Sequence, residues 1–227
     1  MLEQINLFPF WLSLKTALIS TVFVFIIGMM IAYLVAKKDF FGKSVLEAII
    51  MLPLVLPPTV VGFGLLYLFG KNGFIGKWLI AQFDVQIVFT WYGVLLAAIV
   101  VSFPLMYQSA VAAFQQYDRN LEYVAYTLGK SRWNVFWTIS FPLAWPGLLS
   151  GVVLAFARAL GEFGATLMIA GYIPNVTDTI PIAIYFAVES GEMDVAKFWV
   201  ATIVIIGFIA IYWLNWWSRK HMMKHKQ

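Results

Sequence analysis

Five long apolar runs, separated by short clusters of charge, limit what this chain can fold into more than any other feature. They lie at about 11–36, 45–69, 88–113, 143–170 and 197–217. Crossing a bilayer takes roughly 20 apolar residues in helical form, and each run meets that length. With 62% hydrophobic and 11% charged residues in 227, no single water-soluble core could hide so many Leu, Ile, Val and Phe side chains. The expected fold is therefore all-α: a polytopic membrane protein with five transmembrane helices, in contact with membrane lipid.

Several chemistries are removed at once. The chain has no cysteine, which excludes disulfides, zinc-thiolate sites and cysteine nucleophiles. No H-E-x-x-H motif and no pair of facing aspartates is present, so neither a catalytic group nor a metal site is expected. His221 and His225 stand four apart in a basic tail and are read as part of a membrane-proximal anchor, with Trp213, Trp216 and Trp217 as its aromatic belt. The net charge of +4 does not point to nucleic acid, because the basic residues sit at the ends of apolar runs. The first run is not a cleaved signal: its flank, MLEQINLFPF, has no basic residue, and the run is too long for a signal's apolar region.

Charge asymmetry orients the five spans. With the N-terminus outside, the cytoplasmic pieces carry Lys37, Lys38, Lys43, Arg119, Lys130, Arg132, Arg219, Lys220, Lys224 and Lys226. The outer loops then carry only Lys71, Lys77 and Lys197. Ten against three favours N-terminus out and C-terminus cytoplasmic. Lys15 falls near the outer end of the first span and can snorkel.

That orientation places the polar stretch LEYVAYTLGKSRWNVFWTISFP, Leu121 to Pro142, in the cytoplasm between the third and fourth spans. Asp118 is read as the N-cap and Glu122 sits in a first turn, where the helix dipole favours an acid. Leu121, Val124, Ala125 and Leu128 share one apolar face. Gly129 ends that helix, and Ser131 caps a second one whose Trp133, Phe136 and Trp137 again share a face. Pro142 and Pro146 mark the return to the membrane. Gly129-Lys130-Ser131 is not a nucleotide loop, because Val124 stands where a P-loop needs its first glycine. Two uses remain open for the helix pair: lying flat at the membrane surface, or docking a cytoplasmic partner.

The stretch resembles the EAA loop of ABC importer permeases, whose pattern is E-A-A-x-x-x-G, nine residues, then I-x-L-P. Gly129, nine residues, Ile139, Ser140, Phe141 and Pro142 reproduce the second half, with Phe for Leu. The E-A-A positions hold Tyr123, Val124 and Ala125, with the acid one step earlier at Glu122. Elsewhere "LPLVLPPTVVGFGLL", "SFPLM", "FARALGEFGAT" and "IPNVTDTIPIAIY" are similar to permeases of the molybdate type; sulfate and tungstate permeases share a version of the "FAR…GEFGA" segment. The resemblance implies one ABC transmembrane type-1 domain over 1–227, with its core at about 11–217 and its ATPase-coupling loop at about 114–142. It also implies a homodimer, a cytoplasmic ABC ATPase dimer that binds ATP and Mg in place of this chain, and an extracytoplasmic molybdate-binding protein. A sulfate or tungstate permease is the alternative, and a non-transporting structural or receptor subunit is an alternative of another class.

Two intramembrane features bear on a pathway. Pro53, Pro57 and Pro58 interrupt the second run and permit it to bend, with Thr59, Gly62 and Gly64 following. Pro104 is a weaker signal of the same kind in the third run. Arg158 and Glu162 are four apart, are expected to pair on one helix face near the bilayer midplane, and must face protein or water. Pro57, Pro58, Thr59, Arg158 and Glu162 are the candidate pathway or gate residues; bracing between helices is the other use open to the Arg–Glu pair. Gly147 and Gly151 form a G-x-x-x-G spacing suited to close helix approach.

Overall fold

The computed structural model describes residues 6–224, with side chains through residue 213. His225 and Lys226 lie outside the described residues, as do the side chains of Trp216, Trp217, Arg219, Lys220, His221 and Lys224. All regular structure in the described residues is helical: α1 Phe8–Lys37, α2 Lys43–Val55, α3 Pro58–Phe69, α4 Phe74–Phe83, α5 Trp91–Gln116, α6 Asn120–Thr127, α7 Arg132–Val135, α8 Phe141–Leu160, α9 Gly164–Ala170, α10 Ile180–Glu189 and α11 Met193–Lys224. A π-helical segment, Phe136–Ser140, joins α7 to α8.

Among the described residues, four helical stretches are long and apolar enough to cross a membrane: α1, α5, the run Arg132–Leu160 and α11. The second expected span is broken. Helices α2 and α3 meet at 115°, far more than a proline kink, and together they make the fifth candidate span. The break sits at Leu56 and Pro57 because two consecutive prolines each bias the residue before them away from helix. Leu56 and Pro57 accordingly have extended ψ values of 145° and 138°. Pro58 then opens α3, where a missing N–H costs nothing. Pro53 and Pro104 stay inside α2 and α5 without ending them.

The fourth span also differs from expectation. Its main helix ends at Leu160, Gly161 caps it, and the chain restarts at Gly164 as the short α9. Arg158 is thus in the last turn of a helix, and Glu162 lies beyond that helix's end. The second helix of the polar stretch is not free-standing, because α7, the π segment and α8 run on into the span. The wide π turn lies just before Pro142, whose ring would crowd the carbonyl four residues back in a regular α-turn. Helices α4 and α10 appear in segments expected as plain loops.

The core is built from α1, α5 and α8, with Val24, Ala32, Met106, Ala110, Phe114, Ala144 and Leu148 buried together. Small residues set the spacing. A Cβ on Gly147 would lie 2.6 Å from Ala113 Cβ, and one on Gly151 would lie 2.8 Å from Ser109 Cβ. The G-x-x-x-G spacing therefore brings α8 against α5 within one chain, through the close backbone approach that drives helix association in lipid. A second cluster joins α3, α5 and α9 through Val61, Val94, Ala97, Ala165 and Ile169. Lys15 lies over the Trp91 ring at 4.1 Å, an aromatic partner for a charge near the helix end.

Candidate functional site

Helix α6 is turned the opposite way from an ordinary amphipathic surface helix. Leu121, Tyr123, Val124 and Leu128 are exposed, whereas Ala125 and the carboxylate of Glu122 are buried. The acid points inward because it has partners there. Lys37, the last residue of α1, forms an ion pair with Glu122. Tyr117 donates its hydroxyl to the same carboxylate, and Ser140 Oγ donates to Oε1 at 2.5 Å. Burial works to raise the Glu122 pKa, but the bonds from Lys37, Ser140 and Tyr117 outweigh it and hold the carboxyl below its usual range. Burial and the bond to Glu122 push the Tyr117 hydroxyl up, so it remains a donor. Arg119 closes the cluster by donating to the Ala36 carbonyl, a free end group of α1.

The loop's turns follow its sequence closely. Asp118 Oδ1 accepts from the Asn120 N–H at 2.9 Å, next to the helix start, while Arg119 occupies the capping position itself. Gly129 has φ +80°. Around it the Gly129 N–H bonds the Tyr126 carbonyl at 3.0 Å, and the Lys130 N–H bonds the Ala125 carbonyl at 3.1 Å. That pair of bonds is a Schellman motif. Ser131 Oγ accepts from the Asn134 N–H at 3.3 Å, as its capping role requires. Ile139 is half-buried and Pro142 exposed on the run into α8.

The loop thus presents an outward apolar face of Leu121, Val124, Leu128 and Trp133 on a base fixed to α1 and α8. Of the residues expected here, Glu122 and Ala125 brace the loop, and Tyr123 and Val124 face away from the protein. Sequence reasoning missed Lys37, Tyr117 and Ser140 as a group. The available signal was one lysine at the end of the first span and one acid in the loop, and topology alone explained the lysine.

The two segments that carry the candidate pathway residues meet where the start of α3 packs on the start of α9. A Cβ on Gly164 would lie 2.9 Å from Pro58 Cβ, and one on Gly62 would lie 2.8 Å from the Ala165 carbonyl oxygen. Gly64, in contrast, faces open space. The start of α3, with exposed Pro57, Pro58 and Thr59, therefore packs on the start of α9. Arg158 Nη1 and Glu162 Oε2 are 2.7 Å apart, the arginine half-buried and the glutamate buried. The contact is an ion pair and not an aligned hydrogen bond, since Oε2 receives none. Glu162 Oε1 accepts from the Ala165 N–H at 2.8 Å, so the carboxylate also caps α9. Pairing and bracing are thus combined in one side chain.

Residues 16–222 match the family described as "Binding-protein-dependent transport system inner membrane component". The chain is 48% identical to YvgM of Bacillus subtilis (strain 168) over 207 residues, covering 91% of each. It is 43% identical to the molybdenum transport system permease protein ModB of Escherichia coli (strain K12), over 92% of this chain and 93% of that protein. In fold it resembles a bacterial ABC transporter involved in the import of the acidic polysaccharide alginate. That match has a TM-score of 0.71 and 17% identity, and covers 94% of this chain and 79% of that one. The chain belongs to the binding-protein-dependent inner membrane components, the permease subunits of ABC importers.

Proposed function

We propose that this permease carries molybdate inward, with tungstate as a close mimic, as one half of a homodimer driven by a cytoplasmic ABC ATPase dimer. The observation that carries the substrate assignment is the 43% identity, over nearly the whole chain, to a permease named for molybdenum transport. The coupling role is supported by the inverted polarity of α6. An apolar face turned outward on a base held by buried charge is suited to receive a groove on another protein and to pass its motion into α1 and α8. ATP and Mg belong to the ATPase; this chain contributes the loop and the path.

The junction of α3 with α9 is the proposed gate. Arg158 attracts a tetrahedral dianion, but Glu162 largely neutralises it, so cargo is guided without being held. Selection then rests mainly with an extracytoplasmic binding protein. The N-terminus lies outside and the C-terminus in the cytoplasm.

The test is a gene deletion. It should abolish high-affinity molybdate uptake and lower molybdoenzyme activity at trace molybdate, with rescue by excess molybdate. A strain that instead needs a reduced sulfur source, with molybdate uptake intact, would move the assignment to sulfate.

A further inference from the structure

A cavity of about 340 Å³ lies between the start of α1, the loop joining α9 to α10, and helices α10 and α11. Asn6, Tyr172, Asp178, Phe186, Glu192 and Trp199 are among its lining residues. Asp178 is only 7% exposed, and its Oδ1 has no hydrogen-bond partner among the described residues. The other acid, Glu192, is exposed, and Tyr172 and Phe186 stack at 4.1 Å to make an aromatic wall. Among the described residues the lining contains no basic side chain. A buried carboxylate without a charge partner is costly, and no described residue of the lining gives Asp178 one.

The form of the site says what kind of cation fits. Apolar and aromatic surface, from Phe186, Val195 and Trp199, surrounds a deep acid while a second acid stays exposed. That suits a charged head on an apolar stem, with the aromatic faces adding cation–π attraction. The cavity lies beside the start of α1, whereas the coupling loop is bonded to its last residue, Lys37. The helix has 30 residues, which at 1.5 Å each separates the two sites by about 45 Å. If one end meets the ATPase, the cavity faces the other compartment.

We propose that this cavity receives one cationic side chain, a lysine ammonium or an arginine guanidinium, presented by the extracytoplasmic binding protein. The proposal rests on the importer function above. Bound in the cavity, the side chain supplies the counter-charge that no described residue gives Asp178, and it registers the binding protein on the α9–α10 loop and on α10.

The test uses the assembled permease and ATPase in nanodiscs, titrated with molybdate-loaded binding protein at low salt. Asp178→Asn should weaken docking at least tenfold and Glu192→Gln about threefold, and Asp178→Glu should recover part of the loss. Added salt should weaken wild-type docking more steeply than that of Asp178→Asn. Unchanged docking of Asp178→Asn would overturn the proposal and leave the importer function standing, whereas a wild-type complex that binds no such protein would overturn the function itself. Should Asp178→Asn fail to co-purify with the ATPase, Glu192→Gln decides, and its unaltered affinity counts against the proposal. Calorimetry with methylguanidinium covers the remaining case. Asp178-dependent binding of that probe, with docking untouched by either variant, would make the cavity a free-cation site and overturn the assignment to a protein side chain.

Discussion

Lys37 ends α1 with its ammonium against the carboxylate of Glu122, 85 positions further along the chain. The pair is largely shielded from solvent, with side-chain exposures of 17% and 6%. It ties the longest strut of the core to the loop proposed to meet the ATPase. Removing one partner strands the other, which costs about 3–5 kcal/mol for buried pairs. Glu122→Ala and Lys37→Met should therefore each reduce molybdate uptake at least tenfold. The double variant Lys37→Met, Glu122→Gln should lose less than the two single losses combined. Strict additivity in uptake would show that the two side chains act independently.

The same pair sets an acid limit. Glu122 has its carboxyl pKa lowered in the folded chain from an ordinary 4.5. A depressed carboxyl contributes stability that is fully present above its unfolded value and is lost as pH falls through its folded value. Attachment of the ATPase should thus hold down to about pH 4.5 and fail below it. Glu122→Gln should flatten that profile. Loss of attachment between pH 6 and pH 7 in the wild type would assign the limit to another group.

Gly129 is fixed at φ +80°, in the left-handed region. An alanine there costs about 1–2 kcal/mol, with open space around the new methyl. Proline, held near φ −65°, has no acceptable geometry and also deletes the N–H that bonds the Tyr126 carbonyl. Gly129→Pro should insert normally and uncouple transport, while Gly129→Ala keeps at least half of it. Wild-type uptake by Gly129→Pro, with hydrolysis still stimulated by loaded binding protein, would sink the docking role of the loop.

Long apolar runs made the spans legible in the sequence, and Gly129, Ser131 and the G-x-x-x-G pair acted locally as their types dictate. What stayed hidden was decided by contact. Pro57, where the helix breaks, differs from Pro53, where it continues, by the second proline directly after it, but the sharp turn that results is held by the packing of α3 on α9. Likewise the apolar stripe on α6 reads as an inward face until Glu122 is seen to have Lys37, Tyr117 and Ser140 behind it.

Arg158 and Glu162 have unequal duties. Arg158 has the ion pair, while Glu162 holds both that pair and the Ala165 N–H at the start of α9. Glu162→Ala should therefore lower the melting temperature of the complex more than Arg158→Ala, by several degrees. Arg158→Ala should act mainly on the transport rate. Equal thermal losses with full transport in both would leave the pair as bracing alone.

Because the chain has no native cysteine, single cysteines report topology cleanly. Asn72 and Asn175 are both exposed. Cysteines at these two positions should react with an impermeant maleimide in whole cells, and one at Lys224 should not. Labelling of Lys224→Cys in intact cells would reverse the proposed orientation.

Transport in a defined system tests the central claim most directly. Proteoliposomes holding permease and ATPase, with ATP inside the transporter's cytoplasmic face and loaded binding protein on the other, should accumulate labelled molybdate. Glu122→Ala vesicles should accumulate at most about a tenth as much molybdate as wild type. Wild-type vesicles that take up sulfate and not molybdate, or Glu122→Ala vesicles that match wild type, would contradict the account.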